Sequence, residues 1–171
     1  GKATPAMEAR YPAAKELRYL HHRGNSPSLA DGASLLLIGS REKAAELSLT
    51  PRARIVAVAN AAADPLLLTG GQAATEKALA KAGLTPADID LFECNEAFAA
   101  TVLKYQRDLG IDRERLNPNG GAIAMGHALG ATGGMLMTTL LDELERREGR
   151  RGVVAISGGA GVGTAIIIER V

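Results

Sequence analysis

Short, nearly continuous apolar runs alternate along this chain with helical stretches closed by glycine, and that alternation limits the fold more than any other feature. Residues 33–38, 54–60, 89–93, 153–156 and 164–168 each read as a strand, and residues 41–47, 71–82, 97–109 and 130–148 have helical composition. The punctuation agrees. Ser40 can cap the first helix, and Gly83 and Gly110 stand where the second and third need a left-handed residue to stop. Thr85-Pro86-Ala87-Asp88 offers a cap, a first-turn proline and an acid, which predicts a short helical turn. Phe98, Val102 and Tyr105 fall at helical spacing, and Met135, Leu136, Leu140, Leu141 and Leu144 give residues 130–148 an apolar face. Strands without polar alternation belong to a sheet covered on both faces, so the expected class is α/β with helices on both sides. The last two strands are joined only by the glycine-rich turn 158–163, which predicts an antiparallel pair and therefore a mixed sheet.

A chain of 171 residues can bury one real core, and a net charge of +1 with both signs interspersed offers no basic stripe for nucleic acid. One cysteine, Cys94, excludes an internal disulfide framework, and with only three histidines it makes no spaced metal set. No apolar run is long enough to span a bilayer, and residues 1–17 lack the apolar middle of a signal peptide. The expectation is a cytoplasmic protein with no metal, no nucleic-acid partner and no membrane span. Residues 1–23 are charged and without period, which predicts a surface arm.

Three segments put unusual residues at strand ends or helix starts, where open α/β sheets build their sites. In the first, Glu93-Cys94-Asn95-Glu96-Ala97-Phe98-Ala99, Asn95 falls at a strand-to-helix handover; its amide either caps the helix or holds an ordered water or a substrate oxygen. The second is residues 117–133, NPNGGAIAMGHALGATG, in which glycines flank His127. Bare backbone lets a ligand approach closely, and an imidazole there can donate a hydrogen bond to a developing oxyanion or take a proton, the alternative being a structural histidine. The third, Ile156-Ser157-Gly158-Gly159-Ala160-Gly161-Val162-Gly163, has neither the lysine of a P-loop nor a following helix, so nucleotide binding is not expected. Ser157 is either a turn residue or a nucleophile, although GxSxG does not occur. His21 and His22 have no comparable setting and are expected at the surface.

Taken in order, these segments resemble the thiolases, enzymes that make or cleave 3-ketoacyl-CoA thioesters. Residues 95–99 are similar to the family's NEAFA motif, residues 117–133 to NxNGGAIAxGHPxGAxG, and residues 157–163 to the closing CxGGGxG turn. The likeness covers nearly everything after Gly24. It implies the second half of a five-layered αβαβα fold, with residues 1–50 an arm plus the last strand and helix of the first half, and residues 51–171 the C-terminal domain. It implies that Asn95 holds a water beside the thioester oxygen, that His127 completes this oxyanion hole, and that Ala97 and Phe98 line the pocket for the pantetheine arm. Glu96 would orient its neighbours. No cofactor is implied beyond the coenzyme A thioester that serves as substrate.

Three departures qualify the resemblance. The half that carries the family's acyl-accepting cysteine is not in these residues, and Cys94 does not match its motif, so the chain alone is expected to be inactive. Ser157 stands at the position of the acid/base cysteine, and a hydroxyl is a far weaker acid than a thiol. Ala128 replaces the proline that usually follows the histidine. Two other readings remain open: a non-catalytic thiolase-like subunit that binds acyl-CoA, and a ketoacyl synthase relative, suggested by residues 126–131 and opposed by NEAFA and the closing turn. A half-thiolase would expose apolar surface meant for its other half and for a neighbouring subunit, which predicts a homo-oligomer, aggregation or a companion chain.

Overall fold

The computed structural model describes residues 4–13 and 18–171. Its centre is one four-stranded mixed sheet in the order β1-β4-β3-β2. The strands are β1 (Ala53–Ala62), β2 (Leu91–Cys94), β3 (Arg151–Ser157) and β4 (Val162–Arg170). β4 lies antiparallel to both β1 and β3, whereas β2 runs parallel to β3. The expected α/β class and the antiparallel closing pair are therefore present.

The helices are α1 (Pro5–Arg10), α2 (Arg41–Glu46), α3 (Gly70–Ala82), α4 (Ala99–Leu109), α5 (Ala122–Met125) and α6 (Thr132–Arg146). Ser40 caps α2 by accepting the Lys43 N–H at 3.2 Å. Gly83 and Gly110 end α3 and α4 in the left-handed conformation, at φ 67° and 63°. Thr85 and Asp88 form a capping box on the short 3-10 turn Pro86–Asp88.

The period of two along the strands sorts side chains to two cores. Phe92, Val153, Ala155 and Ile167 pack with Ala74, Ala78 and Leu79 of α3 and Tyr105 of α4. Leu91, Val154 and Ile168 pack with Leu136, Leu140 and Leu144 of α6 on the other face. Cover is incomplete at β1, where Ala57 and Ala59 are buried while Ile55 and Val58 remain exposed. The strand therefore alternates in burial, which its almost wholly apolar sequence hides.

Residues 33–38 depart from expectation, for they form no strand. Composition made them look like one, but a strand needs a neighbour to complete its ladder, and among the described residues none pairs with them. The segment instead crosses the start of α6, where the Ser34 hydroxyl donates to the Ala131 carbonyl at 2.9 Å. Leu35 and Leu37 are 95% and 84% exposed. Of the surface arm, residues 1–3 and 14–17 lie outside the described residues. Its end folds back: the rings of His21 and Phe98 are 4.8 Å apart, and the Asn25 carbonyl accepts the Ala99 N–H that opens α4. Among the described residues no helix is long and apolar enough to cross a membrane.

The contact that fixes α3 against the sheet is backbone on backbone. A Cβ on Gly163 would lie 1.9 Å from the carbonyl carbon of Gly70, and one on Gly70 would lie 2.2 Å from the Val162 carbonyl oxygen. No rotamer change relieves either clash. Gly163→Ala is expected to destabilise the chain by about 3 kcal/mol or more in denaturant titration, the upper range of overpacking. Gly159→Ala in the same turn, with open space around it, should change stability by less than about 0.5 kcal/mol.

Candidate functional site

The C-terminal ends of β2 and β3 lie side by side, with Cys94 opposite Ala155 and the Asn95 N–H donating to the Ala155 carbonyl at 2.8 Å. Loops leaving these ends carry the first and third sequence segments, and the second is joined to the end of β2 through Asn117. A cleft of about 300 Å³ opens there, lined by Ala97, Phe98, His127, Ser157, Gly158 and Leu68 among others. Four of the five candidate residues thus share one wall. Asn95 does not reach it and is 2% exposed.

Asn95 is not a helix cap. Phe98 occupies that position for α4, and neither polar atom of the Asn95 amide has a partner. The capping reading is therefore excluded, and a buried amide with free donors and a free acceptor is left. His127 is held from both sides of its backbone, its N–H donating to Ser28 at 2.8 Å and its carbonyl accepting from Ala30 at 3.2 Å. The Thr132 hydroxyl, at the start of α6, lies 2.8 Å from Nδ1, which leaves Nε2 to serve a ligand. Ser157 ends β3, and its Oγ accepts the Gly71 N–H from the first turn of α3 at 2.9 Å. That is where the partial positive charge of a helix favours electron-rich atoms.

The first two segments are tied together by Asn117 and Glu96. The Asn117 amide accepts the Cys94 N–H at 2.8 Å and donates to the Cys94 carbonyl at 2.9 Å. Glu96 accepts from the Asn117 amide at 3.2 Å and from the Ile123 N–H at 2.9 Å, the orienting part that its sequence suggested. Cys94 is no nucleophile: burial first, then the nearby Glu96 and Glu93, push its thiol up to about 12.

Sequence reading missed Thr132, Gly71 and Glu93. The first two act through contacts between distant or differently assigned segments and left no local signal. Glu93 did leave one, an acid inside a strand buried along its whole length. Its carboxyl is 1% exposed with neither oxygen partnered, and burial, followed by repulsion from Glu96 and Glu143, pushes it up to about 8. Together Glu93 and Asn95 leave four buried polar atoms unpaired. At about 1–3 kcal/mol each, such a debt is comparable with a domain's whole stability, so it has to be relieved locally.

Against this geometry, a model of the thiolase C-terminal domain matches residues 49–170. The chain belongs to the thiolase family. It is 45% identical over 148 residues to an acetyl-CoA acetyltransferase of Allochromatium vinosum, covering 86% of this chain and 38% of that protein. It is 48% identical over 152 residues to a 3-ketoacyl-CoA thiolase of Cronobacter sakazakii, with 86% and 39% covered. The solved acetyl-CoA acetyltransferase of Bacillus anthracis superposes with a TM-score of 0.84 at 40% identity, over 87% of this chain and 38% of that one. The chain therefore spans about two-fifths of the length of the relatives it matches.

The buried acids set a pH dependence of stability. Glu93 keeps its proton in the fold up to about 8, against an ordinary value of 4.5 in the unfolded chain. Between these values the folded state holds a proton that the unfolded state has lost, so stability falls as pH rises through that window. Glu93→Gln should abolish the fall and stabilise this thiolase domain by about 3 kcal/mol at neutral pH, and by almost nothing at low pH. Thermal unfolding followed by circular dichroism across the window checks this.

Proposed function

We propose that this chain is the C-terminal part of an acyl-CoA C-acyltransferase that forms 3-ketoacyl-CoA by Claisen condensation or cleaves it by thiolysis. The observation that carries the reading is the convergence of Ala97, Phe98, His127 and Ser157 on one cleft, with the unpartnered Asn95 amide buried beside it. In the reaction, negative charge gathers on the thioester oxygen, and preorganised donors aimed at that oxygen lower the barrier. His127 Nε2 is one donor, fixed by the Thr132 contact at Nδ1. Asn95 is the other, acting through the water it holds. Ala97 and Phe98 form the apolar wall for the pantetheine arm. The substrate is the coenzyme A thioester itself, with no metal and no further cofactor.

Ser157 takes the acid/base position. The Gly71 N–H and the start of α3 stabilise negative charge at this atom, a setting that would draw a thiol toward ionisation near neutrality. A hydroxyl titrates far higher and uses the same setting poorly. The acyl-accepting nucleophile comes from chain outside these residues, so the 171-residue chain alone does not turn over. Residues 1–50 belong to the first thiolase half, with α2 as its last helix and no strand at 33–38, and residues 51–171 to the C-terminal domain. The outward apolar side chains of Leu35, Leu37 and Ile38 are covered by that half, in a cytoplasmic homo-oligomer.

Ser157 also favours a second reading, a non-catalytic thiolase-like subunit that binds acyl-CoA. The two separate in a thiolysis assay of the longer protein that carries this segment. Ser157→Cys is expected to raise the rate about a hundredfold or more, the scale on which a general acid–base group acts. His127→Ala in that variant should then lose about 100-fold or more. Tight coenzyme A binding with no gain from cysteine would favour the binding subunit.

A further inference from the structure

Glu93 and Asn95 stand two residues apart on β2 and its continuation, so their side chains leave the same face of the sheet. It is the face on which Leu91 and Val154 pack against Leu136, Met137 and Leu140 of α6. Among these apolar neighbours a leucine at Glu93 would pack without any polar debt. An acid there calls for a partner, and the surrounding groups offer few. Glu143 is saturated by Arg146, Arg147 and Asn119, and each oxygen of Glu96 already accepts one hydrogen bond, from the Asn117 amide and the Ile123 N–H. Among the described residues no cation acts on Glu93; the charged groups acting on it are the acids Glu96 and Glu143.

The Asn95 amide is the complementary group. A neutral carboxyl has one donor and spare acceptors, and a primary amide has two donors and an acceptor. Two strand residues span roughly 6.6 Å and no direct bond joins these side chains; one bridging water, which needs two to four polar partners, can draw them from the four unpaired atoms of the pair. We propose that Glu93 is a positioning residue: its protonated carboxyl, through one buried water, holds the Asn95 amide with an N–H turned toward the cleft. The orientation of the amide rests on the acyltransferase reading, whereas the Glu93–water–Asn95 unit does not. An amide otherwise free to flip would turn its carbonyl instead of an N–H toward the cleft-side water half the time, and the acid removes that choice.

Infrared spectroscopy and side-chain amide NMR on the full chain test the unit directly, using wild type, Glu93→Gln and Glu93→Leu. The wild type should show a carboxylic C=O band at neutral pH that shifts in deuterium oxide and is missing from Glu93→Gln. The Asn95 NH₂ resonances should be protected from exchange in wild type and Glu93→Gln, and should shift and exchange faster in Glu93→Leu. An ionised carboxylate at neutral pH, or Asn95 resonances indifferent to Glu93→Leu, overturns the proposal. In the longer protein, Glu93→Leu should lower kcat about tenfold with KM little changed, and Glu93→Gln should recover most of the loss. Absence of thiolysis in every variant would sink the acyltransferase reading alone, since the two spectra still decide the unit.

Discussion

The amide of Asn117 does what a neighbouring strand would otherwise do. β2 stands at the edge of the sheet, and an unpaired buried edge leaves N–H and C=O groups without partners. Leu116 makes an isolated bridge to Phe92, the Asn117 N–H donates to the Phe92 carbonyl, and the Asn117 side chain then takes both the N–H and the carbonyl of Cys94. One residue thus completes the ladder at the point where the strand ends. It does so with φ 45°, a left-handed conformation that asparagine tolerates better than most residues. Because the same amide also reaches Glu96, the loop bearing Ala97 and Phe98 is locked to the loop that leads to His127. The cleft inherits its shape from this junction.

Three buried acids show how the rest of the molecule manages charge. Glu169 meets Arg54, Arg151 and Arg150, and Glu143 meets Arg146, Asn119 and Arg147, and these partners hold both carboxyls down at about 2. Both contribute stability that is present at neutral pH and lost as pH falls from the ordinary 4.5 toward 2. Glu93 has no such cation and goes the other way. The fold is therefore squeezed between losing ion pairs in acid and burying a naked carboxylate in base. The unpaired acid is the one at the cleft end of β2, next to Asn95, where an added arginine would bring a full charge beneath the site.

Much of this was readable from the chain, for identifiable reasons. Gly83, Gly110 and Ser40 mark helix ends because their local chemistry is the same in any fold, and the closing pair β3 and β4 announces itself by the brevity of its turn. That Ala97, Phe98, His127 and Ser157 meet at one cleft was legible to the extent that three motifs place them in order after strand ends or before a helix. Residues 33–38 were misread because strand identity is a property of two segments, and only one was visible. The Thr132 contact to His127 and the Gly71 contact to Ser157 were invisible for a related cause: each depends on how a helix start meets a loop or strand end in space. Glu93 was legible as an acid in an otherwise apolar strand, but that it has no partner depends on the α6 face it meets.

Glycine at Gly70 and Gly163 connects the fold to the chemistry at Ser157. Only with both side chains absent can the first turn of α3 settle against β4, and only in that seat does the Gly71 N–H reach Ser157 Oγ. Moving α3 outward by the width of one methyl group would break a 2.9 Å bond and take the helix dipole with it, since that effect fades within the first turn. The geometry is thus built to steady negative charge on the atom at the end of β3, whichever atom stands there. A thiol in this seat gains the most, because its ionisation lies close enough to neutrality for a helix terminus to bring it within reach. A hydroxyl starts too far away. Ser157 therefore uses the seat as a hydrogen-bond acceptor, and the seat's capacity for an anion survives in the fold independently of the residue that occupies it.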